Sequence, residues 1–128
     1  MEKYFSLGEE PLRLSLRLSS CGEDWSVLLL GGKQPHIGAV VLAVPRPSLT
    51  GRGISCDCWV NPVPGHKDYV TARPLAEQLC TASGRIVAVS AGIHIDHASK
   101  EQLVQIQNGC LFLGQQAADW LRQIGSGI

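Results

Sequence analysis

Net charge is the first thing this 128-residue sequence lacks. Its 11 basic and 11 acidic residues cancel, and charged residues make up only 17% of the chain. Without an excess of positive charge there is no long-range field to attract nucleic acid or an anionic membrane surface. The apolar runs are also far shorter than the roughly 20 residues that a bilayer-spanning helix needs. We therefore expect neither a nucleic-acid partner nor a membrane partner.

The sequence also lacks a cysteine framework. Five cysteines form an odd set without regular spacing, which favours reduced thiols in a cytosolic protein. Cys56 and Cys58 are separated by one residue and so lack the two-residue gap of zinc and redox motifs. Residues 1–6 combine a basic start with no following apolar core, so they predict no signal peptide. These features together predict a cytoplasmic protein.

Recognisable catalytic and metal-binding motifs are missing as well. No glycine-rich phosphate loop of the dinucleotide or Walker type occurs. The histidines His36, His66, His94 and His97 have neither a known metal-ligand spacing nor a neighbouring nucleophile. The spacing therefore predicts no catalytic residue and no bound metal. A histidine-based metal protein or acid–base enzyme stays open as an alternative, with its site assembled entirely by folding.

What the sequence does contain is material for one core. A hydrophobic content of 45% over 128 residues predicts a single domain, residues 1–128, in which residues 1–11 form a loosely ordered N-terminal arm. Leu12 to Ser19 alternates leucine with Arg or Ser, which is typical of a half-buried strand. Further apolar segments predict the other strands, at Trp25–Leu30, Ala39–Val44, Ile54–Val60 and Arg85–Ala91.

Helical signals begin at Tyr69. A helix over Tyr69–Ala82 is predicted, either capped by Thr71 with Pro74 in its first turn or starting at Asp68 with a kink at Pro74. Ser99–Gln102 reads as a capping box, Asn108-Gly109 predicts a helix end, and Cys110–Ile124 predicts a last helix. The order predicts an α+β fold, with a mainly antiparallel sheet of about five or six strands and two or three helices packed on it.

Three glycine-containing turns each carry a histidine. They are Gly31–Gly38, Gly65–Asp68 and Ala91–His94. Because sequence-distant turns at one sheet edge can meet in space, we expect all three to converge around one cleft. Lys67 and Arg73, with free amides at a helix start, would suit a phosphate or carboxylate.

These turns also carry a family resemblance. Gly31-Gly32 with Pro35–Gly38, Pro64–Asp68 with Arg73, and Ala91–His94 resemble, in order and spacing, the small bacterial prenylated-flavin chaperone family. The small D subunit of gallate-type, UbiD-like hydroxyarylic acid decarboxylases belongs to that family. The resemblance runs from about the second strand to Lys100 and extends to proteasome-assembly-chaperone-like domains.

The resemblance implies a non-catalytic accessory protein. Such a protein binds prenylated FMN transiently and delivers it to, or stabilises it in, a UbiD-type decarboxylase, and the flavin prenyltransferase is a second possible partner. A homodimer is implied, and the apolar faces of Leu12–Leu18 and Trp25–Leu30 favour one too. A purely structural small subunit is the alternative. The cofactor-binding positions expected from the resemblance are Gly32, Pro35, His36, Gly38, His66, Lys67, Asp68, Arg73, Gly92 and His94.

Overall fold

The fold is α+β, as the sequence predicts. The computed structural model describes residues 1–125, in which two helices pack on a six-stranded sheet. The strands are β1 Glu2–Leu7, β2 Leu14–Cys21, β3 Asp24–Gly32, β4 Ala39–Pro47, β5 Ile54–Pro62 and β6 Val87–His94. The helices are α1 Tyr69–Ser83 and α2 Lys100–Gly125.

The sheet is mixed but mostly antiparallel. Its strand order is β1-β2-β3-β6-β4-β5, and only the β3–β6 pair is parallel. In that pair Trp25 lies opposite Val87 and Gly32 lies opposite His94. β6 thus inserts between β3 and β4, which follow one another in the chain. The loop that joins β3 to β4 must therefore cross the end of β6.

The N-terminal segment differs from the loosely ordered arm that the sequence predicts. Residues Glu2–Leu7 form β1, which pairs along its whole length with β2, from Glu2 opposite Ser19 to Leu7 opposite Leu14. The side chains alternate between exposed and half-buried, because Phe5 and Leu7 pack against the core while Glu2 and Tyr4 face solvent. This weak alternation is typical of an edge strand.

The core lies between one face of the sheet and both helices. Leucines of β2 and alternate residues of β3, β4 and β6 point to this face and are buried. α1 packs over β4, β5 and β6, while α2 packs over β1, β2 and α1. On the opposite face Leu42 and Trp59 remain 40% and 56% exposed. The period of two in the strands therefore separates a covered face from an open one.

α2 is one continuous helix, whereas the sequence predicts a break at Asn108-Gly109. A Cβ placed on Gly109 would lie 2.7 Å from the Leu14 side chain, so this glycine lets the helix approach the sheet closely. The predicted capping box at its start is confirmed. Gln102 N–H donates to Ser99 Oγ at 3.1 Å, and Ser99 N–H donates to the Gln102 side chain at 3.0 Å.

α1 begins at Asp68, as in the second of its two predicted forms. Asp68 is its N-cap, and Pro74 lies inside the helix rather than in its first turn. Thr71 does not cap the helix; its hydroxyl donates instead to the carbonyl of Asp68 at 3.0 Å. The side chain of Asp68 makes no capping hydrogen bond, which frees its carboxylate for another use.

Candidate functional site

The sheet topology brings three turns to one edge. β3 and β6 run parallel and end side by side, with Gly32 opposite His94. β4 begins at this edge and β5 ends there, since Ala39 lies opposite both Ala91 and Pro62. The loop before β4, the segment between β5 and α1, and the end of β6 therefore meet. The convergence expected from the sequence is what the fold produces.

Asp68 is the centre of this meeting point. Its Oδ1 accepts a hydrogen bond from the backbone N–H of Ile93 at 2.9 Å, and its Oδ2 lies 3.2 Å from Nε2 of His36. The same Oδ2 lies 3.8 Å from Nδ1 of His66. Only 9% of the Asp68 side chain is exposed. One carboxylate thus ties the start of α1 to the end of β6 and to the loop of His36.

Two glycines make room for this arrangement. A Cβ on Gly38 would overlap the carboxylate of Asp68, and a Cβ on Gly92 would overlap the backbone carbonyl of His36. The loop is fixed further because Gly38 N–H donates to Ala91 O at 2.8 Å. Close approach, rather than a left-handed backbone, is therefore the reason for glycine at both positions.

Two imidazoles, His36 and His66, lie beside the carboxylate, and a third, His94, lies next to His36. The ring centroids of His36 and His66 are 4.9 Å apart, and those of His36 and His94 are 6.1 Å apart. His94 also lies 2.7 Å, through Nε2, from Oδ1 of Asp96. The side chains of His66 and His94 are 40% and 41% exposed, so both rings are open to a ligand.

A cleft of about 480 Å³ opens beside this group. Its lining includes His66, Lys67, Asp68 and His94, and this group of residues is called the polar end of the cleft; Thr71 and Gln107 also line it. Its walls are apolar and come from α1, from the end of β6 and from the first half of α2, through Val70, Ile93, Ile95, Ala98, Leu103 and Ile106. The volume falls within the range of about 300–1,000 Å³ that is usual for ligand pockets. The cleft combines a slot for an apolar ring with a polar mouth.

Of the two cations expected near a phosphate, Lys67 lines the cleft and Arg73 does not. Arg73 donates from Nε to Glu77 at 2.9 Å and does not line the cleft. Five residues after Asp68, at about 100° per residue, Arg73 points about 140° away around the helix. This rotation around the helix was left out of the prediction that placed Arg73 near a phosphate.

The amides at the start of α1 also differ from the expectation. The N–H groups of Val70, Thr71 and Ala72 already donate to the carbonyls of Lys67 and Asp68. They are therefore engaged rather than free. An anion in the cleft would be met mainly by side chains.

Two other residues expected at the site lie elsewhere. Gly32 and Pro35 line a separate hollow with Tyr4 and Arg13, on the β1 side of the sheet. A Cβ on Gly32 would overlap the carbonyl of His94, so its contribution to the cleft is the packing of β3 against β6. His97, to which the sequence assigns no role, has a left-handed backbone with φ of 53° and does not line the cleft.

The thiols remain outside the site. Burial, together with the neighbouring Cys56, raises the pKa of both Cys58 and Cys80 to about 12. Thiols with such a pKa stay protonated and unreactive near neutral pH.

The apolar residues that line the cleft were not predicted from the sequence. Leu103 and Ile106 lie in α2, well beyond the three turns, and they reach the cleft only because α2 folds back across the sheet edge. Their signal in the sequence is weak. Leu103 is 51% exposed, and Val104, Leu111 and Phe112 of the same helix are exposed to a similar degree, so exposure on α2 does not single out the cleft residues.

The comparisons with known proteins concern both the fold and the family. A chain from a structure titled as a novel chaperone complex for yeast 20S proteasome assembly is 18% identical, with a TM-score of 0.56. The alignment covers 97% of the present chain and 98% of the other, which shows a shared fold. No curated protein matches the sequence significantly. Within residues 1–125, neither helix combines the length and apolarity needed to cross a membrane.

The family itself follows from a match over most of the sequence. The family model of the prenylated flavin chaperone LpdD-like domain matches residues 8–122, which include every element from β2 to α2 except the last three described residues of α2, and exclude β1. The chain therefore belongs to the prenylated flavin chaperone LpdD-like family.

Proposed function

We propose that this protein binds prenylated FMN transiently in the cleft and delivers it to, or stabilises it in, a UbiD-type decarboxylase. The observation that carries the proposal is the cleft itself, with apolar walls leading to a polar end of His66, Lys67 and His94. Membership of a prenylated flavin chaperone family gives the ligand class. The protein acts as a carrier and not as an enzyme.

The apolar walls fit the ring system of a prenylated flavin. Val70, Ile93 and Leu103 come from three different elements, α1, β6 and α2, and all three line the cleft. Burying an apolar ring between them contributes about 25 cal/mol for each Å² removed from water. The added prenyl carbons enlarge that area, so a prenylated flavin binds more tightly here than FMN does.

The polar end fits the phosphate. Lys67 supplies a full positive charge, and the His66 ring supplies a hydrogen-bond donor beside it. Charge-assisted hydrogen bonds to a phosphate are roughly twice as strong as neutral ones. With a single lysine rather than an arginine clamp, binding is modest. Modest binding suits a carrier that must release its cargo.

The expected homodimer needs a different basis from the one that the sequence suggests. Leu14, Leu16 and Leu18 of β2 are buried beneath the helices and offer no partner surface. Apolar side chains are exposed on α2 instead, where Leu111 and Phe112 are 59% and 52% accessible. We propose that this surface of α2 forms the dimer contact.

The cytoplasm remains the expected compartment, and the flavin prenyltransferase remains the expected source of the prenylated FMN.

A structural small subunit is the competing function. Such a subunit would contact a decarboxylase without touching its cofactor, and its cleft would have no ligand. The two functions are separated by producing the protein together with a flavin prenyltransferase and extracting the bound small molecules. A carrier is expected to retain a detectable fraction of prenylated FMN, identified by mass spectrometry. A structural subunit would retain none.

A further inference from the structure

Three potential metal ligands surround one point at the edge of the cleft. They are Nε2 of His36, Nδ1 of His66 and a carboxylate oxygen of Asp68, and all lie within 4.8 Å of one another. Their positions along the chain, 36, 66 and 68, have no metal-ligand spacing. For this reason the sequence predicts no metal. The fold assembles the group from two loops that lie far apart in the chain.

The hydrogen bonds of His36 leave a gap that a cation would fill. Nδ1 of His36 lies 3.1 Å from the carbonyl oxygen of Gln34, which can only accept, so Nδ1 carries the proton. In a neutral imidazole, which has one N–H, Nε2 then presents a lone pair to Asp68 Oδ2 at 3.2 Å. In a doubly protonated ring Nε2–H donates to Asp68, and a bound metal ion would take the place of that proton. A metal ion between these two atoms would bond to both of them.

The same contacts resemble the support that metal ligands usually have. A ligating histidine almost always donates its other N–H to a carbonyl or carboxylate, as His36 does to Gln34. Ligating carboxylates are likewise held by a further hydrogen bond, as Asp68 is by the N–H of Ile93 at 2.9 Å. Both ligands are therefore oriented before any ion arrives.

The distances suit a small divalent ion. Zinc bonds to nitrogen and oxygen at about 2.0–2.1 Å, which places neighbouring ligands in a tetrahedron about 3.3 Å apart. His36 and Asp68 already have nearly this separation, at 3.2 Å. His66 and Asp68 are 3.8 Å apart, beyond hydrogen-bonding range, and the His66 side chain is 40% exposed and has room to move inward.

We propose that His36, His66 and Asp68 bind one divalent first-row transition metal ion, with Zn²⁺ as the probe. Two imidazoles and one carboxylate are a ligand set that such ions accept, and three protein ligands leave a further position for an oxygen ligand. His66 and Asp68 line the cleft, so the ion would lie at its polar end. This metal site does not rest on flavin binding. Nor is it needed for folding, because the core is closed by buried apolar side chains elsewhere.

The test is calorimetric titration of the flavin-free, metal-free protein with Zn²⁺ alone, under reducing conditions. One ion per chain is expected. His66→Ala and Asp68→Asn are each expected to weaken binding at least about tenfold, since even supporting residues around a metal change affinity by about 10–100-fold. Asn at position 68 retains an oxygen for the Ile93 N–H. His97→Asn is the matched control: it removes an imidazole outside the group, and Asn tolerates the left-handed backbone there.

Circular dichroism shows which variants remain folded. If Asp68→Asn does not fold, His66→Ala and His36→Ala decide, because both side chains lie outside the hydrophobic core. The proposal is overturned if the wild-type protein binds no Zn²⁺ at about 100 μM, since the Kd would then be weaker than roughly 10⁻⁴ M. It is overturned equally if the folded site variants bind Zn²⁺ as tightly as the His97→Asn control. Because no flavin is present, neither result bears on the carrier function.

Discussion

The carboxylate of Asp68 accepts a hydrogen bond from the backbone N–H of Ile93 at 2.9 Å, and this contact joins the N-cap residue of α1 to the end of β6. An N-cap aspartate ordinarily bonds to the first turn of its own helix. Asp68 makes no such bond, and its other oxygen faces His36. The Asp68 side chain therefore does not cap α1, and its carboxylate instead connects the end of β6 with the loop of His36 beside the cleft.

Substituting the glycine that admits the His36 loop tests how tightly this edge is packed. In Gly92→Ala the new Cβ would overlap the carbonyl of His36, which is backbone and cannot swing aside. We expect a loss of about 1–3 kcal/mol in unfolding free energy, measured by urea denaturation. Gly125→Ala is the control, because a Cβ there meets nothing within 4 Å. Equal stability of the two variants would show that the loop is not packed on β6.

Charge removal at the polar end of the cleft separates two cations. Lys67→Ala is expected to weaken prenylated FMN binding roughly ten- to a hundredfold, the effect of losing a charge-assisted contact worth ~1.5–3 kcal/mol. Arg73→Ala removes a cation of the same sign that pairs with Glu77 and lies outside the cleft, so its affinity is expected to stay near that of the wild type. Fluorescence titration measures both. If Arg73→Ala weakens the affinity for prenylated FMN and Lys67→Ala does not, the phosphate binds on the other side of α1 and the proposed position is wrong.

An acidic residue on the exposed face of α2 tests the proposed dimer contact. Phe112 is 52% exposed, and Phe112→Glu would place a charge in an apolar interface. The variant is expected to be monomeric by light scattering at micromolar concentration, where the wild type is dimeric. Leu49→Glu introduces the same charge at a 92% exposed position between β4 and β5, away from α2, and is expected to leave the dimer intact. If the wild-type protein is itself monomeric at this concentration, the proposed dimer contact is wrong.

The stability of the fold is expected to fall in alkaline solution. Burial, reinforced by the negative charge of Asp68, raises the pKa of Cys110 from 9.0 to about 12. The thiol is protonated in both folded and unfolded chains below pH 9, so its contribution is complete there. Between pH 9 and about 12 only the unfolded chain ionises, and stability is lost as pH rises.

At pH 10 this loss amounts to about 1.4 kcal/mol for one thiol. Urea denaturation at pH 8 and pH 10 measures it, and Cys110→Ala is expected to show a correspondingly smaller decrease. An identical decrease in the two proteins would mean that Cys110 ionises freely in the folded state.

Local patterns in the sequence account for much of this fold. The alternation of Leu14, Leu16 and Leu18 is sufficient to place β2 with one face in the core, and Ser99 with Gln102 marks the start of α2. These features depend on neighbours a few residues apart. The α+β class and the approximate numbers of strands and helices follow from them.

Features that depend on distant partners could not be obtained in the same way. β1 contains two charged residues and becomes a strand only because β2 offers a free edge. Gly109 looks like a helix end, yet it serves the close approach of α2 to Leu14. The parallel pairing of β3 with β6 and the rotation that turns Arg73 away from the cleft are likewise properties of the assembled fold.

The central claim is that prenylated FMN occupies the cleft between α1, the end of β6 and the first half of α2. It is tested most directly by NMR, from the backbone amide shifts of isotope-labelled protein before and after addition of prenylated FMN. We expect the shifts to concentrate in the segments 65–71, 93–98 and 103–107, which contain the residues that line the cleft. Shifts confined to the hollow of Tyr4, Arg13 and Pro35, or no shifts at all, would contradict the claim.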